Sequence, residues 1–342
     1  MEYGSDFPID LGKLEYTDDN IFEFLRGYTA LYFDSGRSAT RYLLKILVSQ
    51  KVALPEYVCE SIDECFPDSE KFYYSINERF EIIYLERIPW ETIDIFYLMN
   101  YFGSIQPDQV LSYIAKMRDI YGFLIVEDTT HSILTKPATI GDYCVCSLRK
   151  WFPIPDGGVL YTKLSLDDRE YAFLNEKQSD RIEGMVLKSL YLKGKVDTKD
   201  AFYKILIDTE QLLENQTDLY RLSVISEYIL KCQNIHNIVD RRRNNYATMI
   251  RELGNLLPET IARRESDVPY IYVTRTEDRD AFRAFLAKNH VYCPVHWPLP
   301  TDWKSESARR LSLKLISIPI DQRYEKNEVT NTVRIIRGYC ND

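Results

Sequence analysis

The stretch Gly122–Tyr161, GFLIVEDTTHSILTKPATIGDYCVCSLRKWFPIPDGGVLY, most constrains what this chain can fold into. Its run Phe123-Leu124-Ile125-Val126 is apolar without alternation and stops abruptly at Glu127-Asp128. Such a run is a strand buried on both faces, the kind found in parallel sheets covered by helices. A carboxylate then arrives at the C-terminal edge, where open α/β sheets bind their ligands. A second apolar run, Tyr143-Cys144-Val145-Cys146, leads into Ser147-Leu148-Arg149-Lys150, and Asp156-Gly157-Gly158 begins the return into Val159-Leu160-Tyr161. One carboxylate and one amine leave neighbouring strands toward a common edge.

The chemistry that needs this pair is that of pyridoxal phosphate. A lysine amine condenses with the cofactor aldehyde, and a carboxylate against the pyridine nitrogen keeps that nitrogen protonated so that the ring accepts electrons. Asp128 is then the pyridine partner and Lys150 the cofactor lysine. The competing local reading makes Asp128 a helix cap and Lys150 one of 43 basic residues.

Such a cofactor also needs a phosphate site. In Ala30-Leu31-Tyr32-Phe33-Asp34-Ser35-Gly36-Arg37-Ser38-Ala39 a short strand runs into a Ser-Gly turn, after which Ala39, Tyr42, Leu43, Ile46 and Leu47 recur at helical spacing through Val48. Glycine lets the backbone approach a ligand, and the amides of Arg37, Ser38 and Ala39 at a helix start can donate to a phosphate. Ser147, close to Lys150 in sequence, is either a further phosphate ligand or a turn and cap residue.

Elsewhere strands and helices alternate. Val52-Ala53-Leu54 ends at Pro55-Glu56-Tyr57; Phe72-Tyr73-Tyr74 follows; Ile93 to Leu98 ends at Asn100-Tyr101-Phe102-Gly103; and Pro107 to Tyr121 reads as a helix. This predicts an α/β fold with a mostly parallel sheet in three layers. Thr162 to Asn215 is charged and resists assignment. A long helical region is expected from Asp218 to Leu257, its Asp240-Arg241-Arg242-Arg243 run a solvated face. A smaller α/β unit follows, with strands at Tyr270–Val273 and Leu313–Ile318, a helix at Asp278–Lys288 and a last helix from Glu325. The expected division is a large domain over 1–230 and a small one over 231–342.

At 342 residues with a net charge of −9, the chain has the length for about two domains and the wrong sign for a nucleic-acid or anionic-membrane partner. Met1-Glu2-Tyr3-Gly4 opens no basic leader, and no apolar run approaches the roughly 18 residues of a membrane span. A cytoplasmic location is the expectation. The seven cysteines lack the spacing of a disulfide framework, and neither they nor the four histidines form zinc-type pairs, so no metal is expected. The 26 tyrosines are spread along the chain and mark no stacking surface.

Taken together, these motifs resemble the DegT/DnrJ/StrS sugar aminotransferases, a group with the type I pyridoxal phosphate fold. The resemblance runs over nearly the whole chain. Ser35-Gly36-Arg37-Ser38-Ala39 stands where that family has a phosphate-binding Gly-Thr-x-Ala turn, and Glu127-Asp128-Thr129-Thr130-His131 is similar to its Glu-Asp-x-Ala-(His/Gln). Lys150 keeps the family's distance to the glycines, here Asp156-Gly157-Gly158. Tyr220-Arg221-Leu222-Ser223, Pro294-Val295-His296-Trp297 and Ile318-Pro319 resemble later landmarks, with Leu54-Pro55-Glu56-Tyr57 and Asn100-Tyr101-Phe102-Gly103 earlier.

The resemblance implies a homodimeric aminotransferase with pyridoxal phosphate, glutamate as amino donor and a nucleotide-linked keto-sugar as acceptor, in amino-sugar or surface polysaccharide biosynthesis. It places Asp128 on the pyridine nitrogen and His131 beside the ring. Arg221 and His296 become candidates for substrate contact, against structural or interfacial roles. The walls depart from the pattern. Val58-Cys59 replaces an aromatic that stacks on the ring, with Tyr57 the candidate substitute; Leu219 replaces an asparagine, and Arg37 a threonine. After the lysine the usual Gly-Glu pair is Pro155-Asp156. Those changes leave open a non-catalytic or dehydratase-like member of the same fold that binds a sugar nucleotide.

Overall fold

A computed structural model describes residues 2–47, 51–67, 69–166, 171–175 and 179–341. Seven strands form one sheet in the order Thr29–Phe33, Gly158–Thr162, Tyr143–Ser147, Leu124–Asp128, Ile95–Met99, Lys51–Pro55, Glu70–Tyr74. Lys51–Pro55 runs parallel to both Glu70–Tyr74 and Ile95–Met99, and Ile95–Met99 parallel to Leu124–Asp128. Thr29–Phe33 lies antiparallel to Gly158–Thr162. All five residues of Ile95–Met99 are buried, which is why that strand reads as a continuous apolar run.

The chain forms two compact units. The first holds Asp6–Leu47 and Val145–His236; the second holds Glu2–Ser5, Val48–Cys144 and Asn237–Asp342.

In the first unit the Ser-Gly turn opens a helix over Gly36–Ile46, capped by Ser35, whose side chain accepts from the Ser38 amide. The expected end at Val48 lies outside the described residues. The stretch that resisted assignment contains two packed helices, Ser179–Leu192 and Asp200–Glu214. They touch at Gly184, where an added Cβ would stand 3.0–3.1 Å from Ile205 and Leu206. The long helix expected from Asp218 is broken instead. Tyr220 and Arg221 make bridges to Phe173 and Phe33, and helix Val224–Lys231 starts at its own Ser223 cap, followed by Ile235–Leu253. A side-chain cap that satisfies a first-turn amide outweighs uninterrupted helical propensity.

In the second unit, helix Asp108–Tyr121 buries Val110, Leu111 and Ile114 and ends at Gly122, whose φ of +79° suits a left-handed stop. It returns the chain to Leu124–Asp128. A separate small core gathers Met249, Leu253, Phe282, Leu286, Ile316 and Ile336 around the antiparallel pair Tyr272–Arg275 and Leu315–Ile318. The strand expected from Leu313 starts two residues later, because Leu313 and Lys314 end helix Glu306–Lys314. Likewise Tyr270 and Ile271 precede their strand. Among the described residues no helix is long and apolar enough to cross a membrane.

Candidate active site

In the first unit, the phosphate turn and the lysine turn are packed against each other. A Cβ on Gly36 would stand 3.1 Å from the Ser147 Cβ, and one on Gly158 only 2.1 Å from the Ser35 carbonyl oxygen and 2.5 Å from the Gly36 nitrogen. The contact at Gly158 leaves no room for a side chain, so glycine is required there by close approach, while at Gly36 a methyl group would be tight against Ser147. The Gly157 amide donates to the Asp34 carbonyl at 2.6 Å, and the Leu148 amide to the Gly157 carbonyl at 3.1 Å. Ser147 is the N-cap residue of the short 3-10 turn Leu148–Lys150, its side chain making no cap bond. Lys150 ends that turn exposed to solvent, directly before fully buried Trp151 and Phe152.

The helix start is selective about which amides it leaves available. The Ser38 amide donates to Ser35 Oγ at 3.1 Å and the Ala39 amide to the Ser35 carbonyl at 3.1 Å. The amides of Gly36 and Arg37, first in the helix, have no intrahelical acceptor. The Arg37 side chain turns away, donating to the Leu213 and Glu214 carbonyls at the end of helix Asp200–Glu214. Arginine in place of threonine thus gives that helix a C-terminal partner.

Two carboxylates brace this half. Asp156, fully buried, accepts from Ser223 Oγ and Asn175 Nδ2, both at 2.6 Å, and from Ser226 Oγ. Burial pushes its pKa up to about 6, against the pull of the serine hydrogen bonds and with a smaller push from Asp34. Glu210 accepts from Arg149, the neighbour of Lys150, and lies 2.9 Å from Arg181. Burial would raise Glu210, but the two guanidinium groups hold it down at about 2. This ion cluster fixes the lysine turn to helix Asp200–Glu214. Nothing in the local sequence pairs Arg149 with Glu210, 61 residues away.

In the second unit, alternation along the strand sends Glu127 and Asp128 to opposite faces. Glu127 is a structural anchor: it accepts from the Thr139 amide and hydroxyl, the Gly141 amide and Asn100 Nδ2 at 2.8–3.0 Å. Burial raises its pKa nonetheless. Asp128, 3% exposed, accepts from the Tyr97 hydroxyl at 2.9 Å and the Thr130 amide at 2.8 Å. Tyr97 is fully buried, and burial together with Asp128 raises its pKa well above the ordinary value, so it is a lasting donor. Tyr97 escapes a sequence reading. The parallel register Met99↔Asp128 is the signal that places it near the carboxylate.

His131 is buried in an aromatic stack, its ring 4.5 Å from Tyr270 at 14° and 5.5 Å from Trp297 at 9°. Its Nδ1 accepts from the Phe102 amide at 3.4 Å. Tyr57 is fully buried among Phe80, Tyr101 and Trp297, and its hydroxyl donates to the His296 carbonyl. Val58 is fully buried as well. His296 shares a hydrogen bond of 2.9 Å with Ser317. In the first unit, Arg221 lies over the Tyr171 ring and donates from Nε to the Ala172 carbonyl at 3.3 Å, and Leu219 is buried.

No protein-family model matches the sequence. A curated relative, the dTDP-3-amino-3,6-dideoxy-alpha-D-galactopyranose transaminase of Aneurinibacillus thermoaerophilus, is 26% identical over 112 residues. That match spans 29% of this chain and 31% of the relative, about a third of its length. Solved structures match far more of the chain. A DegT DnrJ EryC1 StrS aminotransferase from Brucella abortus superposes with a TM-score of 0.65 at 15% identity, covering 97% of this chain and 92% of that one. The PLP form of Spr1654 from Streptococcus pneumoniae gives 0.70 at 15%, covering 100% and 99%. PseC of Helicobacter pylori, an aminotransferase involved in pseudoaminic acid biosynthesis, gives 0.65 at 15% and covers both chains fully. The chain therefore has the fold of these aminotransferases, as its motifs lead one to expect.

Proposed function

We propose that this protein is a pyridoxal phosphate-dependent aminotransferase that moves an amino group from glutamate to a nucleotide-linked keto-sugar in amino-sugar or surface polysaccharide biosynthesis. The observation that carries the reading is the mutual packing of Gly36, Gly158 and Ser147 three residues before Lys150, in a chain with this fold. The residues fit the cofactor: a glycine cradle at a helix N-terminus for a phosphate, an amine on the adjoining turn, and a buried, doubly hydrogen-bonded carboxylate for a ring nitrogen.

When bound, pyridoxal phosphate supplies an aldehyde and an electron-accepting ring. The amides of Gly36 and Arg37, with Ser147, bind the phosphate, and the turn that continues through Ser38 and Ala39 holds them in place. Lys150 Nζ anchors the cofactor and then acts as general base and acid at the substrate carbon. Asp128, held in orientation by Tyr97 and Thr130, would face the ring nitrogen. His131 and Tyr57 belong to the aromatic ensemble that walls the ring, and Arg221 and His296 are assigned to the substrate.

We assign cofactor binding to a large domain over 1–230 and place a smaller domain over 231–342. We assign the protein to the cytoplasm as a homodimer, and the first unit's exposed apolar side chains, among them Phe173 at 65%, Leu174 at 73%, Leu212 at 69% and Val224 at 82% exposure, support the association. Amination of dTDP- or UDP-linked keto-sugars with glutamate, followed by mass spectrometry, tests the assignment. A one-mass-unit gain by the sugar nucleotide, with 2-oxoglutarate formed in equal amount, is expected. Turnover of glutamate with no aminated sugar would reject the acceptor class.

A further inference from the structure

In the second unit the charge run Asp240-Arg241-Arg242-Arg243, expected to form a solvated helix face, turns one member inward. Arg242 is 1% exposed; its Nη1 donates to the Tyr270 carbonyl at 2.6 Å and its Nε to Gln322 Oε1 at 2.9 Å. Burial lowers its pKa to about 10, so it keeps its charge at neutral pH. A buried cation is costly even when hydrogen-bonded, and apolar side chains would join the same elements without that cost. What the arginine adds is direction: a planar, rigid fork sets the orientation of one peptide, that of Tyr270.

Tyr270 connects that anchor to His131 by two routes. Its ring lies 4.5 Å from the His131 ring at 14°, and its amide donates to the Phe102 carbonyl at 3.0 Å. Phe102 in turn directs its own amide to His131 Nδ1. Arg263 grips the same crossing, donating from Nη1 to the Phe102 carbonyl at 2.8 Å and from Nη2 to the Ile271 carbonyl at 3.0 Å. Phe102 is fully buried at a left-handed φ of +53°, a conformation that a bulky residue keeps only where its surroundings over-determine it, and such strain gathers at functional sites. Here the strained residue is the one whose amide meets the imidazole. With Trp297 parallel at 5.5 Å and Phe102 at 5.1 Å and 25°, the His131 ring is stacked among three aromatics, which leaves its nitrogens as its means of acting on a ligand. A nitrogen that accepts an amide N–H carries no proton, so a neutral His131 carries its proton on Nε2.

We infer that Arg242 is a positioning residue for His131: by orienting the Tyr270 peptide it keeps the Phe102 amide on Nδ1 and holds the imidazole neutral, in the Nε2–H tautomer. The use of that tautomer rests on the aminotransferase reading, in which His131 stands beside the cofactor ring and a fixed N–H donates to an oxygen there. The tautomer itself is a property of the chain without cofactor.

The test is the imidazole 15N spectrum of the full chain, labelled in histidine and free of cofactor, at neutral pH. Only four histidines are present, and His131→Gln identifies the His131 signals by their loss. Nδ1 is expected at the unprotonated position and Nε2 at the protonated one. Arg242→Met fills the space but removes the donors, so the two signals should move together toward the average of an imidazole exchanging between tautomers. Arg242→Lys keeps one donor for the Tyr270 carbonyl and should restore most of the separation. Gln322→Ala, at a half-buried position, loosens the same arginine, should narrow the separation, and serves if Arg242→Met does not fold. Leu286→Ala, in the small core of the same unit, controls for lost stability alone and should leave both nitrogens at their wild-type positions. A proton on Nδ1 or on both nitrogens in the wild type, no shift in the folded variants of Arg242 and Gln322, or an equal shift in Leu286→Ala overturns the inference. Failure of the aminotransferase reading shows separately, as absence of a cofactor absorption band in the wild type while the two nitrogens remain as expected.

Discussion

The surroundings of Lys150 in the first unit and those of Asp128 in the second are built by different means. Around Lys150 the structure depends on close backbone approach: Gly158 leaves 2.1 Å for a methyl group that would need far more, and a methyl group on Gly36 would stand 3.1 Å from the Ser147 Cβ. Around Asp128 it depends on side chains, with a tyrosine hydroxyl and one amide holding a carboxylate in an aromatic setting. The first arrangement tolerates almost no added atom and the second almost no change of charge. Steric precision fixes the turn that carries Lys150, while hydrogen bonding fixes the carboxylate of Asp128.

That contrast can be broken by experiment. Asp128→Asn keeps the shape and an acceptor for Tyr97 but removes the charge, so turnover should fall by ~10³-fold, as for other preorganised electrostatic groups. Its unfolding midpoint in urea should move little. Unchanged turnover would remove Asp128 from the chemistry. Gly158→Ala reverses the pattern, costing about 3 kcal/mol or more because the new methyl meets backbone rather than a movable side chain. Gly122→Ala, at φ +79° with open space around it, should cost only about 1–2 kcal/mol. Equal losses in the two alanine variants would show that crowding is not what shapes the lysine half.

A pH series sharpens the same comparison. Asp156 in the folded protein titrates near 6 against an ordinary 3.8. A raised value means the folded state favours the protonated form, so this contribution is complete below about pH 3.8 and is lost as pH rises through 6. The difference corresponds to about 3 kcal/mol. Urea midpoints for Asp156→Asn should therefore lack the decline between pH 4 and 6 that this carboxyl imposes on the wild type. An identical slope in both proteins would mean the site is not desolvated as described.

Much of the first half could be read from the chain alone, because its signals are local. A Ser-Gly turn between strand and helix, and a lysine a few residues before paired glycines, declare themselves within short windows. Asp128 was legible for the same reason, standing where an apolar run stops. The partners were not. Tyr97 reaches Asp128 across 31 residues, Tyr270 stacks on His131 from far along the chain, and Glu210 meets Arg149 from the second of the two helices that follow it. Those two helices were themselves obscured by surface charge, and the Ser223 cap that splits the expected long helix looks like any serine until its side chain is seen on the Ser226 amide.

The most direct test of the central claim is the visible absorption spectrum of the purified protein with pyridoxal phosphate, recorded beside Lys150→Ala. The account predicts a cofactor band in the wild type that the variant lacks, with the variant folded by circular dichroism. No band in the wild type, or the same band in both proteins, would contradict the assignment of Lys150 and with it the aminotransferase reading.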